Sequence, residues 1–368
     1  MSGGAVGAGP VGGGILSGGP ATGAAGAGRL TRLTGIAVVL AFAVAFPLVF
    51  TNPAVTTDAI YTLIFVTWAA AWNTFSGYSG YLSLGHAVFF GSGAYFTGIA
   101  TRDWGLTGSE VFWLLPLAGL LGGVIAVPFG LFALRVRRHT FVVITIAVFF
   151  IFQLTAYNVA VTGGTSGLLA PTINFATATY NNPFYFIALG IAVSTVLMSW
   201  LIRRSRFGLQ LRAIRDDEDR ARGLGVHAMR VKLSAFVFSA VPVAMVGGLW
   251  WYFTAIVDPS SGFDPLNDVA IALMAFLGGL GTVSGPVLGA LIIEPAYLYF
   301  QQQVAAGYYF WMVYGALFLL VILILPRGII PTVAEQIRNW RDRRRGSGAG
   351  AAPEAAMTTT AGRAGEPA

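Results

Sequence analysis

Apolar runs about 20 residues long recur along most of this chain, and they constrain its fold more than any other feature. An α-helix rises about 1.5 Å per residue, so a run of this length crosses a hydrocarbon core of roughly 30 Å. Only 10% of the residues are charged, against about 25% in soluble domains. The runs are continuous rather than alternating, which disfavours a transmembrane β-barrel. The sequence therefore predicts an all-α polytopic membrane protein.

The apolar blocks fall at 33–51, 59–75, 82–100, 111–134, 140–160, 183–202, 231–256 and 305–326. One further stretch, 268–300, is too long for a single span and is interrupted by GGLGTVSGP (Gly278–Pro286). Glycine and proline favour a break in a helix, so this stretch is predicted to form two shorter helices. Two full spans and a re-entrant pair are both compatible with it. The total is about ten transmembrane helices, some of them broken or short.

Basic residues give the predicted orientation, because cytoplasmic loops of membrane proteins carry an excess of Lys and Arg. With cytoplasmic N- and C-termini and an even number of crossings, 21 of the 22 Lys and Arg residues are cytoplasmic, and Arg102 is the exception. Six acidic residues are predicted to lie on the external side: Asp58, Asp103, Glu110, Asp258, Asp264 and Asp268.

Composition divides the chain into three regions. Residues 1–28 are almost all Gly, Ala, Val, Ser and Pro, which predicts a disordered cytoplasmic tail. The transmembrane domain is predicted over 29–330, and within it 203–232 is the one sizeable soluble connection. A basic and then low-complexity cytoplasmic tail is predicted over 331–368.

The sequence contains no catalytic or metal-binding constellation. Cysteine is absent, and His86, His139 and His227 lie far apart, without metal-ligand spacing. The G-x-x-x-x-G-K-[ST] phosphate-binding motif is also absent, so the chain does not bind ATP by that motif. No cofactor, metal, catalytic residue or nucleic-acid partner is predicted, and the net charge of +7 is interpreted as a signal of topology.

Small residues are concentrated between Ser76 and Gly98, where 13 of 23 positions are Gly, Ala, Ser or Thr. Within this stretch Ala87, Gly91, Ala94 and Gly98 share one helix face. Such a face lets another helix approach closely, so helix packing explains part of the glycine content.

The first half of this stretch, SGYSGYLSLGH (Ser76–His86), contains too many breaks for a straight helix. Broken backbone at membrane depth is tolerated where it is buried in protein or lines water. Ser83 and His86 are therefore candidates for a translocation pathway, because an intramembrane ionisable residue suggests function. His86 is equally interpretable as a buried, neutral hydrogen-bonding group that fixes a helix bend.

A comparable interruption lies in the second half of the chain, at Gly278, Gly279 and Gly281. Paired Gly/Pro interruptions in two halves of a transporter suggest a pathway between them.

The soluble segment 203–232 reads RRSRFGLQLRAIRDDEDRARGLGVHAMRVK and packs charges of both signs densely. One or two short surface helices are predicted, with a turn at Gly223–Gly225. The segment is either a solvated loop held by i,i+4 ion pairs or a docking element for a cytoplasmic partner, for which mixed charge gives specificity.

Two stretches predicted to be external are VTGGTSGLL (Val161–Leu169) and VDPSSGFDPLND (Val257–Asp268). Each is interpretable as an ordinary turn, or as an outer gate or a contact for a binding protein. The candidate residues in them are Thr162, Gly163, Gly164, Thr165 and Asp258.

These motifs together resemble a known family. GYSGYLSLGHAVFFGSGAY (Gly77–Tyr95) is similar to the G-Y-x-G-x-L-S-L-G-H-A-x-F-x-G-x-G-A-Y signature of branched-chain amino-acid ABC transporter permeases of the LivM type. Further matches follow in the same order: TFVVITIA (Thr140–Ala147), TGGTSGL (Thr162–Leu168), SRFGLQLRAIRDDEDRARGLGV (Ser205–Val226), VDPSSGF (Val257–Phe263), LGGLGTVSGPVLGA (Leu277–Ala290) and LPRGI (Leu325–Ile329). The resemblance covers about residues 30–340.

The resemblance implies a multi-pass permease subunit in a prokaryotic cytoplasmic membrane. Its implied partners are a homologous permease, two cytoplasmic ATPase subunits and an extracytoplasmic substrate-binding protein. The stretch Arg215–Gly225 corresponds to the family's cytoplasmic coupling segment, although Arg220 stands where the family has a small residue, and Gly262 is an insertion. The implied coupling residues are Arg215, Asp216, Asp217, Glu218, Asp219, Ala221 and Gly225.

The implied function is transport of branched-chain (apolar) amino acids, driven by ATP hydrolysis in the partner subunits rather than in this chain. A urea or short-amide ABC permease is the alternative substrate class. From a different class, an ion-coupled secondary transporter or channel would need intramembrane ionisable residues. Only His86 and Glu294 lie well inside the predicted spans.

Overall fold

The computed structural model describes residues 22–50, 52–171, 180–303, 315–316, 328–332 and 335–336. Its helices are α1 (Thr22–Val49), α2 (Pro53–Trp72), α3 (Ala87–Trp104), α4 (Leu114–Ala133), α5 (Arg138–Asn158), α6 (Asn181–Arg204), α7 (Arg206–Asp216), α8 (Glu218–Gly223), α9 (Ala228–Thr254), α10 (Pro259–Gly262), α11 (Pro265–Gly278) and α12 (Ser284–Gln303). A π-helical turn follows α2 at Asn73–Gly77, and 3-10 turns lie at Gly108–Trp113, Ala160–Thr162 and Gly164–Ser166. The described strands are β1 (Leu168–Leu169) and β2 (Ile256–Val257). The predicted all-α class is confirmed.

The chain divides into two units, residues 1–50 and residues 51–368. The described part of the first unit is α1, which carries an apolar stretch at Ala37–Val49. This helix starts at Thr22, so residues 22–28, which the composition assigned to a terminal tail, are helical.

Five stretches of the described chain are long and apolar enough to cross a membrane: Pro53–Gly77, Gly108–Ala133, Arg138–Asn158, Asn181–Arg204 and Ala228–Thr254. Each coincides with one of the predicted apolar blocks. The predicted block 305–326 lies almost entirely outside the described residues.

The long stretch 268–300 forms two helices, α11 and α12, that pack against each other. The turn between them is tight, because a Cβ on Gly278 would lie 1.7 Å from the Gly285 carbonyl oxygen. Helix α11 has 14 residues and therefore rises about 21 Å, less than the roughly 30 Å of a hydrocarbon core.

Helix α9 is the centre of the second unit, where it packs against α2, α3 and α4. Its contact with α3 is reciprocal: a Cβ on Gly93 would lie 2.0 Å from the Ala244 carbonyl oxygen, and one on Gly247 would lie 2.0 Å from that of Phe90. Glycine at both positions therefore allows the two backbones to touch.

The small-residue face predicted on α3 is buried along its length, but its residues meet different partners. A Cβ on Gly91 would lie 2.5 Å from the Phe263 ring, and one on Gly98 would lie 3.1 Å from the Trp251 ring. Among the glycines of α3, Gly93 makes the closest approach to the backbone of α9, and it lies outside the predicted set.

Replacing Gly93 by alanine places a methyl group against the Ala244 carbonyl. The two helices must then move apart, so we expect the free energy of unfolding to fall by about 1–3 kcal/mol. Thermal unfolding of the purified protein in detergent measures this loss. Gly190→Ala is the matched control, because it lies within α6 and its Cβ would have no neighbour within 4 Å. Equal melting temperatures for the two variants would contradict the close packing of α3 on α9.

Candidate functional site

The chain leaves regular helix between α2 and α3, over Asn73–His86, which we call the first break. After the π-helical turn, an irregular stretch begins near Gly80 and continues until α3 starts. Most of the break is buried, so its polar groups need partners inside the protein. The Trp72 indole donates to the Ser83 carbonyl oxygen at 2.7 Å, and the Leu84 N–H donates to the Thr145 hydroxyl of α5 at 3.1 Å.

His86 ends the first break, fully buried, with both ring nitrogens hydrogen-bonded. Nδ1 lies 3.0 Å from the Ser83 hydroxyl, and Nε2 lies 3.0 Å from the Ser239 hydroxyl of α9. The Ser239 hydroxyl donates to the Phe236 carbonyl oxygen at 2.8 Å, so its oxygen accepts the proton on Nε2. This arrangement suits a neutral imidazole that ties the break to α9.

Asp268 was predicted from the charge distribution to lie on the external side, but the structure places it inside the protein. The structure buries this residue near the start of α11, where its carboxylate oxygens accept from the Ala87 N–H at 3.1 and 3.2 Å. The first N–H groups of α3 lack partners within that helix, and they are therefore good donors to a carboxylate.

A second break, Gly279–Val283, separates α11 from α12 and lies directly against the first. The Asn73 amide spans them: its Nδ2 donates to the Thr282 carbonyl oxygen, and its Oδ1 accepts from the Gly281 N–H, both at 2.8 Å. The two interruptions that the sequence singled out are thus joined through one side chain. Gly328 also approaches here, since a Cβ on it would lie 2.5 Å from the Gly279 Cα atom.

The soluble segment forms α7 and α8, which contact this pair of breaks. Arg215, at the end of α7, donates from Nη1 to the Gly77 carbonyl oxygen at 2.7 Å. The same nitrogen would lie 2.4 Å from a Cβ on Gly281, whose φ of +79° is one that residues with a side chain rarely adopt. Arg138 of α5 donates to the carbonyl oxygens of Ile214 and Arg215 at 2.8 and 2.7 Å, which fixes the end of α7.

A buried ion pair joins α8 to α9. Lys232 is 1% exposed, and its Nζ lies 2.8 Å from the Glu218 carboxylate, which also receives a hydrogen bond from the Tyr81 hydroxyl. The Lys232 Nζ further donates to the Tyr81 hydroxyl at 3.1 Å. Burial alone would raise the pKa of Glu218, but hydrogen bonds from Lys232 and Tyr81, with the positive charges of Lys232 and Arg222, hold that pKa below its ordinary value.

Some of the remaining predicted coupling residues are buried against the protein, and others face solvent. Ala221 is buried, whereas Asp219 and Gly225 are exposed. Asp217 caps α8, accepting from the Arg220 N–H at 3.0 Å, and Asp216 ends α7 exposed to solvent. Gly225 adopts a φ of +86°, which a residue with a side chain rarely adopts.

Two side chains on the solvent-exposed side of α8 are highly exposed. Leu224 is 85% exposed, the highest fraction among the exposed large apolar residues of the described chain. The Arg220 side chain is 87% exposed, although it pairs with Asp217 at 3.0 Å.

The two candidate outer stretches also come together. Strands β1 and β2 pair antiparallel, with Leu168 opposite Val257, and this sheet joins one stretch to the other. Asp258 caps α10, accepting from the N–H groups of Ser260 and Ser261 at 2.9 and 3.1 Å. Burial would raise the pKa of Asp258, but these two serines lower it.

The other outer candidates lie at the end of α5. The Thr162 hydroxyl donates to the Ala156 carbonyl oxygen at 2.7 Å, so it closes the turn after α5. Gly163 and Gly164 adopt positive φ angles of 78° and 58°, as turns of this kind require. Thr165 is exposed.

Helix α5 touches both groups of candidate residues. At one end Arg138 bonds the end of α7, and toward the other end Gln153 donates from Nε2 to the Phe263 carbonyl oxygen at 2.7 Å. Between them, Thr145 bonds the first break. Helix α5 is also the least buried of the five spanning stretches, so its attachments are few and are concentrated at these points.

Sequence reasoning missed Asn73, Tyr81 and the role of Lys232. A signal for Lys232 was present, because it is the only lysine of the chain and opens an apolar helix. Asn73 had a weaker signal, as a lone amide at the end of an apolar block. In the part of the chain that the structure describes, no group of three His, Asp or Glu residues is placed to hold a metal ion.

The family model described as the permease component of the branched-chain amino acid transport system matches residues 54–322. The chain belongs to this family. It is 27% identical over 329 residues to the high-affinity branched-chain amino acid transport system permease protein LivM of Salmonella typhimurium, covering 81% of this chain and 75% of that protein. The LivM protein of Escherichia coli is 26% identical over 333 residues, or 82% of this chain and 76% of that protein.

The chain is also 26% identical over 294 residues to the LivH permease of Salmonella typhimurium, covering 75% of this chain and 92% of that protein. No solved structure matched the chain. The resemblance to LivM-type permeases is confirmed, and the chain is a multi-pass membrane protein of a transport-permease family.

The buried pair predicts a specific pattern of stabilities. Lys232→Met leaves the Glu218 carboxylate without its main cation, so we expect a loss on the order of 3 kcal/mol in the free energy of unfolding. Adding Glu218→Gln to that variant removes the unpaired charge and recovers a large part of the loss. Thermal unfolding in detergent measures both variants.

The matched control is Arg102→Met, because Arg102 pairs with Asp103 while both side chains are about half exposed. Its cost should stay below about 1 kcal/mol. If Lys232→Met costs no more than Arg102→Met, the pair between α8 and α9 does not stabilise the fold.

Proposed function

We propose that this chain is a permease subunit of an ABC importer for branched-chain, apolar amino acids in a prokaryotic cytoplasmic membrane. It works with a homologous permease, two cytoplasmic ATPase subunits and an extracytoplasmic binding protein, and it catalyses no reaction itself. One observation carries the proposal beyond family membership: the segment α7–α8 is hydrogen-bonded to the first break through Arg215 and Glu218, and Asn73 of that break bonds the second break. A force applied to that segment would reach the interior of the bundle.

The proposed topology has about ten spans with both termini in the cytoplasm. The distribution of Lys and Arg supports it, because the positive-inside rule then places α7 and α8 on the cytoplasmic side. An ATPase subunit could contact the segment only on that side.

In the proposed mechanism, closure of the ATPase dimer moves α8. The pair between Glu218 and Lys232 transmits the movement to α9, and Arg215 transmits it to the first break. Asn73 passes it from the first break to the second. Helix α5 transmits the movement toward the external side. Its Arg138 bonds the end of α7, and its Gln153 bonds the Phe263 carbonyl oxygen after α10. The glycine contacts of α3 with α9 allow small shifts of packed helices.

Ion coupling is the mechanism from another class, and the contacts of His86 argue against it. Both of its ring nitrogens are bonded to neutral serine hydroxyls. Glu294, the other intramembrane ionisable residue that the sequence indicated, is buried on α12. The names of the relatives favour apolar amino acids over urea as substrate.

Reconstitution of the full complex in liposomes tests the proposal. Leucine uptake should require the binding protein outside and ATP on the side of the ATPase subunits. Leucine uptake by this chain alone, driven by an ion gradient, would overturn the ABC mechanism. Uptake of urea in place of leucine by the full complex would reject the amino-acid substrate class.

The solvent-exposed side of α8 can be tested as the contact with the ATPase. If Arg220 and Leu224 form the contact with the ATPase, alanine at either position should lower co-purification of the ATPase subunits about tenfold, the effect of losing an interface hot spot. Arg230→Ala is the control, because Arg230 is exposed but lies in α9 rather than in α7 or α8. Unchanged co-purification in both variants would show that the ATPase binds elsewhere.

A further inference from the structure

The joint between α6 and α7 collects positive charge. Arg203 and Arg204 end α6, Arg206 begins α7, and Arg212 follows within α7. The sequence from 181 to 215 contains no Asp or Glu. We call Arg203, Arg204, Arg206 and Arg212 the joint arginines.

The local geometry brings Arg212 close to the joint. Ser205 caps α7 by accepting from the Gly208 N–H at 3.2 Å, so the two helices meet without a loop between them. Arg212 reaches back toward the joint, with Nη2 3.5 Å from the Arg203 carbonyl oxygen and Nε 3.4 Å from that of Gly208. The fourth guanidinium therefore lies close to the end of α6.

No joint arginine makes an ion pair with a carboxylate in the described ranges, where the ion pairs use Arg102, Arg220, Arg222 and Lys232 instead. Asp216 lies one helical turn after Arg212, a spacing that favours pairing, yet it forms no ion pair with it. Like charges held together repel one another, and an anion from outside the protein relieves that repulsion.

The surroundings of the joint match the boundary of a bilayer. The Arg204 guanidinium lies 4.2 Å from the centre of the Trp200 ring, and tryptophan is enriched at membrane interfaces. Leu201 and Leu209, on either side of the joint, are 54% and 58% exposed. Apolar side chains in this position can contact acyl chains, which a free phosphate ion lacks.

We propose that the joint arginines bind the headgroup of an anionic phospholipid. The planar guanidinium group presents paired N–H donors that match the oxygens of a phosphate. Trp200, Leu201 and Leu209 contact the upper part of the acyl chains. The lipid lies at the start of the α7–α8 segment and secures that end of it to the membrane surface.

Native mass spectrometry tests the proposal on the full chain. The detergent-solubilised protein is equilibrated with equal amounts of phosphatidylglycerol and phosphatidylcholine, and the bound lipids are counted. The wild-type chain should retain phosphatidylglycerol in preference. Each Arg→Gln change at the joint should lower that retention about fivefold, the effect expected for one basic residue at a membrane surface.

Arg204→Gln with Arg206→Gln is the informative variant, because neither side chain donates a hydrogen bond within the described structure. Arg135→Gln with Arg137→Gln is its control, since it removes the same charge from exposed residues between α4 and α5. Loss of phosphatidylglycerol from the first variant alone supports the proposal. Equal retention by both variants, or no preference in the wild-type chain, overturns it. Displacement of the lipid by millimolar inorganic phosphate would show that the site takes free phosphate instead.

Discussion

Backbone polar groups inside a bilayer have no water to bond, so each interruption of a helix must find its partners within the protein. This constraint organises the second unit of the chain. The first break is bonded by Trp72, Thr145 and Ser239, while Asp268 bonds the start of α3. The second break receives its bonds from Asn73. Because the partners of the first break and of the start of α3 come from α2, α5, α9 and α11, this region ties several helices together.

Hydrogen bonds to the first break also connect the α7–α8 segment to the interior of the helix bundle. Arg215 bonds the carbonyl group of Gly77, the last residue of the π-helical turn. Glu218 enters the interior only because Lys232 and Tyr81 bond it there, since an unpaired carboxylate would be costly to bury. The small residues act differently: Gly93 and Gly247 bring α3 and α9 into backbone contact. Polar bonds and close packing thus operate together in one part of the fold.

The sequence predicted the helices because apolar blocks of spanning length are a strong, local signal. It located both breaks, since glycine and proline mark them directly, and it separated α7 and α8 from the spans by their charge. It could not predict the partners, because these lie far apart in the chain: Asn73 and Gly281 are 208 positions apart, and Ala87 and Asp268 are 181 apart. Charge counting gave the wrong position for Asp268. It considers only the sign of a charge, and it ignores the free N–H groups at the start of α3 that bond the buried carboxylate. Charge counting likewise treated Lys232 as one more cytoplasmic charge, because it ignores the buried partner Glu218.

Lys232 carries a practical consequence that follows from its being the single lysine. Apart from the terminal amine, it is the only primary amine in the chain, and it is 1% exposed in this arrangement. Acylating reagents that select amines would therefore modify the resting protein at its terminus and leave Lys232 untouched. Any state in which α8 separates from α9 would expose it, and the chain would gain a second label. The fold thus contains its own chemical reporter of that separation, without an engineered residue.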